Sequence, residues 1–461
     1  MKIGLLKAAL LSSSAAAVLL AGGAYQAQAA GNNEAQKTEL RSELKALTDR
    51  LARLEGKRAA ATRARRVAPA AAVEIGSKPR SWKLPGTNTS MRIGGYAQLS
   101  LIYDINANSG DAISSNGASG GSFPSTGTAA ANRQGNFRLH ARRSRIFIKT
   151  WTPTDWGAMN TRIEGDFFGA GGNQLISNSN SFRLRHAYGS LGPVLAGQTY
   201  STFRFTKFEM FTFQDRGLAG NGNGRQALIR YTHKFGGGTA ALLAVENPET
   251  NRAIVSGTFV DPVVTSGGGA PDRIPEFVAV LQHKWSGGQV KFGAVFGEEG
   301  INDGAGASDS TFVWAVQGAL KLKFNNKRTQ FAILGFYGQG MGKYWRGMPG
   351  SIAVTGVNGA NVNVKPIASF GGYAWLRHNW SDTISTNIGF GRHDANVESE
   401  ITKALIPARS LDVHWSFLAN LVWTPVKNVQ MGLEYHWVRS NFHNARESVV
   451  QRVQLSARYK F

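Results

Sequence analysis

The sequence contains no cysteine, which excludes disulfide frameworks, thiol catalysis and cysteine-based metal sites together. Past its first thirty residues it also has no uninterrupted apolar run long enough for a membrane helix. Acidic residues are scarce, with 29 Asp and Glu against 52 Lys and Arg, and the formal charge is +23, of which Lys2 and Lys7 supply two. A field of that sign calls for an anionic partner: nucleic acid, lipopolysaccharide or small anionic solutes. Catalytic signals are equally thin. His140, His186, His233, Ser144 and Asp166 could be drawn into a triad, but no nucleophile elbow is present, and strand parity turns His186 and His233 outward. Glu434 and His436 share a face at two-residue spacing, which reads as a hydrated wall rather than a metal site. No enzyme activity and no cofactor are expected.

What is present begins with an export signal. Lys2 and Lys7 precede an apolar run from Ala8 to Leu20, and Ala27-Gln28-Ala29 suits cleavage, so residues 1–29 read as a signal peptide. An exported chain seldom meets nucleic acid, which removes that partner. Leu40, Leu44, Leu47, Leu51 and Leu54 are spaced as a heptad seam, with charges on either side. Residues 31–56 therefore read as a short periplasmic coiled coil, or as one amphipathic helix lying on another element. Residues 57–90 read as a linker.

From Met91 onward the chain repeats a two-residue rhythm. In the terminal VVQRVQLSARYKF, Val453, Leu455, Ala457, Tyr459 and Phe461 fall on one face, and Arg452, Gln454, Ser456, Arg458 and Lys460 on the other. A transmembrane strand explains both faces, since one meets lipid and the other a wet lumen. Sixteen such stretches are expected, at 91–104, 136–150, 157–168, 181–190, 193–202, 226–235, 239–247, 274–285, 289–298, 311–324, 328–340, 369–380, 383–393, 411–424, 428–440 and 449–461. The faces of 328–340 are ambiguous, and the register at Arg142 is uncertain. The connections alternate long and short, as an outer-membrane barrel requires and a soluble sandwich does not. The expected fold is all-β: a 16-stranded antiparallel transmembrane β-barrel over residues 91–461, preceded by the short α-helical coiled coil.

A wide barrel selects solutes only if something narrows it. Residues 203–225 carry Phe203, Phe205, Phe208, Phe211 and Phe213 among charged residues. These rings could pack the loop against the inner wall as a constriction, or bury it at a subunit interface. Parity places cations on the lumenal face around it. The candidate solute-lining residues are Arg143, Arg145, Lys149, Arg162, Glu164, Asp166, Arg183, Arg185 and Arg230 from the wall, with Arg204, Lys207 and Arg216 from the loop. These arginines either neutralise Glu164 and Asp166 to keep the lumen hydrated, or leave a positive surplus that concentrates anions. Guanidinium forks suit carboxylate or phosphate.

Taken together, SWKLPGTNTSMRIGGYAQLSLIYD at 81–104, RLHARRSRIFIKT at 138–150, RIEGDFFG at 162–169, RLRHAYGSLG at 183–192, AGQTYSTF at 196–203, RQALIRYTHKF at 225–235 and the terminal KF resemble the DcaP-like trimeric outer-membrane porins. The resemblance runs from about Ser81 through Phe235 and more loosely to the end. It implies a sixteen-stranded homotrimer with N-terminal periplasmic coils, in contact with outer-membrane lipid and lipopolysaccharide, that passes small anions, notably dicarboxylates. It further implies that the arginines at 143, 145, 183, 185 and 230 belong to an anion path. A phosphate-selective porin of the O/P type combines a coil and a basic ladder in the same way and stays open as an alternative. An outer-membrane hydrolase is a more distant one.

Overall fold

The computed structural model describes residues 33–67, 73–106, 126–132, 134–169, 179–214, 217–222, 224–248, 253–255, 258–260, 273–302, 308–345, 350–355, 362–396, 411–443 and 447–461. The expected signal peptide and three residues of the phenylalanine-rich loop, Asp215, Arg216 and Asn223, lie outside them. The described chain divides into two units, one ending at Val73 and the other running from Glu74 to Phe461.

In the first unit a single helix, α1, spans Asn33–Val67 over 35 residues. It continues well past residue 56 into the stretch expected to be linker. The cause is composition: Lys57-Arg58-Ala59-Ala60-Ala61 is a run of strong helix formers with no proline or glycine to stop it. Leu40, Leu44, Leu47, Leu51 and Leu54 are each more than half exposed on this helix.

The second unit is a closed barrel. Its strands are β1 (Ser90–Asn106), β2 in two halves (Gln134–His140 and Arg145–Thr154), β3 (Gly157–Asp166), β4 (Arg183–Leu191), β5 (Val194–Tyr200), β6 (Arg225–Gly236), β7 (Thr239–Glu246), β8 (Glu276–Trp285), β9 (Gly288–Asn302), β10 (Ser308–Phe324), β11 (Thr329–Gln339), β12 (Ala368–Asn379), β13 (Ile384–Asn396), β14 (Leu411–Trp423), β15 (Val429–Phe442) and β16 (Glu447–Lys460). Each pairs antiparallel with the next, and β1 closes the circle on β16 with Leu99 opposite Ala457. Full closure satisfies every ladder without leaving an edge, the condition for a sheet to stand in lipid. A two-residue stub, Trp82–Lys83, pairs with the start of β1 and adds nothing to the circumference.

Parity holds along most of the wall. On β16, Arg452, Gln454, Ser456 and Arg458 are buried inward, while Leu455 and Tyr459 are about half exposed outside. The short connections lie at one rim. At Gly236, Gly237 and Gly238, φ is 87°, 56° and 87°, a left-handed run that glycine adopts without steric cost. At the other rim, Ala253–Val255, Thr258–Val260, Ile352–Thr355 and Asn363–Pro366 form a separate four-stranded sheet that joins two of the long connections.

The inner wall is not polar throughout, contrary to the plain alternation expected of a wet lumen. Val278, Val280, Val295, Val313, Ala315, Leu334, Phe336, Tyr373 and Trp375, on β8 to β12, are all buried in one apolar core. This resolves the ambiguity of the 328–340 stretch. Ala332, Leu334 and Phe336 on β11 face inward and are as apolar as the outward Ile333 and Tyr337, because what covers them is protein, not water.

A candidate solute path lined by arginines

What covers that wall is the connection between β5 and β6. Phe203, Phe205, Phe208 and Phe213 are no more than 2% exposed. Burying a side chain of this size contributes roughly 1.5–3 kcal/mol, so four of them hold the segment firmly. The barrel is shaped to receive them. Gly293 lies beneath Phe203 and Phe205, Gly389 beneath Met210 and Leu218, and Gly432 beneath Phe213, positions where a side chain would collide with the inserted loop.

Hydrogen bonds tie the loop backbone to strands across the barrel. Trp375 Nε1 donates to the Phe208 carbonyl at 2.5 Å, Asn420 Nδ2 to the Phe211 carbonyl at 2.9 Å and Gln98 Nε2 to the Phe213 carbonyl at 2.9 Å. In return Phe213 N donates to Glu434 Oε2 at 3.1 Å and Ala219 N to Ser416 Oγ at 2.6 Å. A second connection enters beside it. Met341, Tyr344 and Trp345 are buried, and Trp345 forms an isolated bridge with Gly222 of the first loop. Tyr344 donates its hydroxyl hydrogen to Glu276 at 2.6 Å. Burial, and then the charge of Glu276, push the Tyr344 phenol well above its ordinary value.

The two inserted loops fill the β8–β12 side and leave a cavity of ≈ 530 Å³ against the opposite wall. Seven arginines line it: Arg143, Arg145, Arg183, Arg185, Arg204, Arg225 and Arg458, with Tyr96, Tyr200 and Phe211 between them. Beneath them lie the fully buried carboxylates Glu164 and Asp166. Arg183 places Nε and Nη2 at 2.9 Å from Asp166. Arg185 reaches Glu164 at 3.1 Å and Asp166 at 2.6 Å. Arg145 contacts Glu164 at 3.2 Å, and Arg162 shares the same carboxylate. On the loop, Arg204 forms a fork on Glu209 at 2.6 and 2.9 Å. Burial opposes the Arg204 charge, and the neighbouring Glu209 outweighs that, so the guanidinium pKa ends above its usual value. Arg143, Arg225 and Arg458 form no ion pair among the described residues. Arg143 donates to the Thr212 carbonyl at 3.0 Å, Arg458 to Gln98, and Arg225 lies over the Tyr200 ring.

Of the twelve residues singled out by sequence, Arg143, Arg145, Arg183, Arg185 and Arg204 line this cavity, with Glu164 and Asp166 pairing beneath it. Arg162 and Lys149 sit apart from the lining, gathered with Arg92 around the Phe147 ring. Arg230 is in a separate cavity with Pro193 and Lys234. Lys207 is exposed, its carbonyl accepting from Lys321 at 3.2 Å. Arg216 lies outside the described residues.

One reading is corrected. His186 does not face outward: it is 3% exposed and its Nδ1 is 2.9 Å from Thr199 Oγ1. A register shift pairs Glu164 with His186 but Gly165 with Leu184, so the bulge buries Arg185 and His186 in succession. Near Arg142 the strand breaks between its two halves. Arg142 there donates to the carbonyls of Phe167 and Gly169 at 3.4 and 3.3 Å. Two lining arginines were missed. Arg225 sits at the loop end of β6, where parity carries no signal. Arg458 was legible as inward, but its place in the cavity follows from closure of β16 on β1.

Residues 82–460 match the family model described as the porin subfamily. The fold is similar to that of the outer-membrane channel DcaP of Acinetobacter baumannii, with a TM-score of 0.68 and 18% identity over 83% of this chain and 100% of that one. More distant likenesses are OmpT of Vibrio cholerae, at a TM-score of 0.48 and 8% identity over 82% of this chain and 99% of that one, and Salmonella typhi OmpF in complex with daunomycin, at 0.49 and 11% over 81% and 98%. No curated protein matches the sequence. A sixteen-stranded closed barrel, inserted loops that leave an arginine-lined path, and a family match across nearly the whole barrel lead to one assignment: the chain belongs to the porin subfamily and is a channel of the bacterial outer membrane.

Proposed function

We propose that this porin conducts small anionic solutes passively, with dicarboxylates as its principal class. The observation that carries the reading is the charge balance of the cavity. Arg143, Arg225 and Arg458 line it without a carboxylate partner among the described residues. Uncompensated guanidinium groups in a narrow path attract anions and repel cations, and several spaced along one cavity suit a solute with two carboxylates. Passive exchange of dissolved ions down a gradient needs no cofactor, and the family and fold point to a channel rather than an enzyme.

Two further points belong to the same reading. The export signal at 1–29 delivers the chain across the inner membrane, and α1 stands on the periplasmic side. The exposed leucine seam of α1 supports assembly as a homotrimer, because a seam of this kind is stable only when a second helix covers it. Lipid and lipopolysaccharide then surround the outward apolar face.

Reversal potentials in a KCl gradient across a planar bilayer test the selectivity. Preference for chloride supports it, and preference for potassium refutes it. Pore block by succinate or phthalate in competition with phosphate separates dicarboxylate from phosphate selectivity.

A further inference from the structure

Inward arginines of this barrel repeatedly present Nε and one Nη as a fork. On Arg183 the fork closes on Asp166, on Arg204 it closes on Glu209, and on Arg452 it closes on Asp104 at 2.7 and 3.1 Å. Arg458 donates with the same two nitrogens, Nε and Nη2, at 2.9 and 2.7 Å, but both converge on one oxygen, the side-chain carbonyl of Gln98. The donors are those of the ion pairs, and the partner is neutral.

The orientation of the amide is determined by its neighbours. Its oxygen must face the guanidinium, which only donates, and its nitrogen donates to the Phe213 carbonyl at 2.9 Å and to Ser100 Oγ at 3.0 Å. Rings hold the cation without neutralising it: Tyr96 at 4.4 Å, Phe213 at 5.3 Å and Phe211 at 5.5 Å from Cζ. Glu434, the neighbouring carboxylate, is engaged elsewhere. It accepts from Thr212 Oγ1 at 2.5 Å, Phe213 N at 3.1 Å and Asn420 Nδ2 at 3.0 Å, and forms no ion pair with Arg458 among the described residues.

We propose that Gln98 sets the selectivity of the pore as a positioning residue: it holds Arg458 at the cavity wall, against the inserted loop, and leaves its charge available to a passing anion. This rests on the anion-conducting reading above and deepens it. A glutamate in the same place would still accept from Arg458 and would cancel its charge. One amide in place of a carboxylate therefore decides whether the wall here attracts an anion.

The test compares the full-length porin with Q98E, Q98M, R458Q and R458K in planar bilayers. Reversal potential and single-channel conductance are read for each, and folding is checked by heat-modifiable mobility. Q98E and R458Q lower the anion-to-cation permeability ratio by about sevenfold, because one unit charge across roughly 7 Å of water shifts the anion and the cation about threefold each, in opposite directions. Q98M and R458K lower the ratio less than Q98E and R458Q, because the charge at position 458 persists but is no longer held by the amide. A Q98E channel with the wild-type ratio overturns the proposal, as does a Q98M channel that falls as far as Q98E. If Q98E does not fold, R458Q against R458K still decides, and an unchanged ratio in R458Q refutes the claim. A wild-type channel that prefers cations overturns the underlying function. An anion-preferring wild type with an insensitive R458Q overturns this inference alone.

Discussion

Trp345 stacks on Phe336 with ring centroids 4.0 Å apart and planes 12° from parallel. Phe336 belongs to the barrel wall and Trp345 to an inserted connection, and the same Trp345 bridges to Gly222 of the phenylalanine-rich loop. One residue thus links the wall, through its ring, and the phenylalanine-rich loop, through its backbone. Replacing Trp345 with alanine removes a large buried side chain, a change that costs about 3–5 kcal/mol in packed cores. The barrel ladders are untouched, so the loss is local to the loops. Single-channel records of W345A are expected to show brief current fluctuations absent from the wild type, with unchanged heat-modifiable mobility. Quiet records would mean that the stack does not hold the loops.

The arginines of the lumen divide into those engaged with carboxylates and those that form no ion pair among the described residues. Arg452 is 1% exposed and pairs with Asp104, outside the cavity lining. Breaking such a buried pair typically costs about 3–5 kcal/mol, so D104N should lower the thermal transition of the barrel and leave reversal potential unchanged. Arg225 is the converse case. A hydrogen bond to a charged group is worth about 1.5–3 kcal/mol, and R225M should raise the succinate concentration for half-block by roughly tenfold or more with little change in melting temperature. A reversed pattern would show that the two classes are misassigned.

Tyr344 provides a pH-dependent contribution. Its phenol is held above the ordinary value of 10.0 by burial and then by Glu276, so the folded state favours the protonated form. The stability from this side chain is therefore fully present below the unfolded pKa near 10, and it is lost as pH rises through the folded value. Thermal melts of wild type and Y344F between neutral pH and about pH 11 test this. The wild type should lose more stability than Y344F across the alkaline range, and parallel curves would exclude the effect.

The leucines of α1 make a separate prediction. Leu47 and Leu51 are 63% and 56% exposed on the helix. If the seam associates copies of the chain, L47D with L51D should weaken α1 cross-linking in the purified protein while each barrel still folds and conducts. Full cross-linking in the double variant would place the association elsewhere.

The chain on its own determined which side of each strand meets water, because a period of two is a local property that survives any arrangement of strands around it. Arg143, Arg145, Arg183, Arg185 and Arg458 were all legible as inward on that basis, and the strand count followed from the same rhythm. Exceptions came where parity itself fails: at the bulge that buries Arg185 and His186 together, at the break beside Arg142, and at the loop end that holds Arg225. Tertiary structure alone decided which cations share a cavity. Gln98 and Arg458 are 360 positions apart and meet because the first strand closes on the last. The apolar half of the lumen likewise exists only because two loops fold inward, and no pattern within one strand records what another segment will lay against it. Sequence spacing orients a side chain, but the charge it faces is set by ring closure and by the inserted loops.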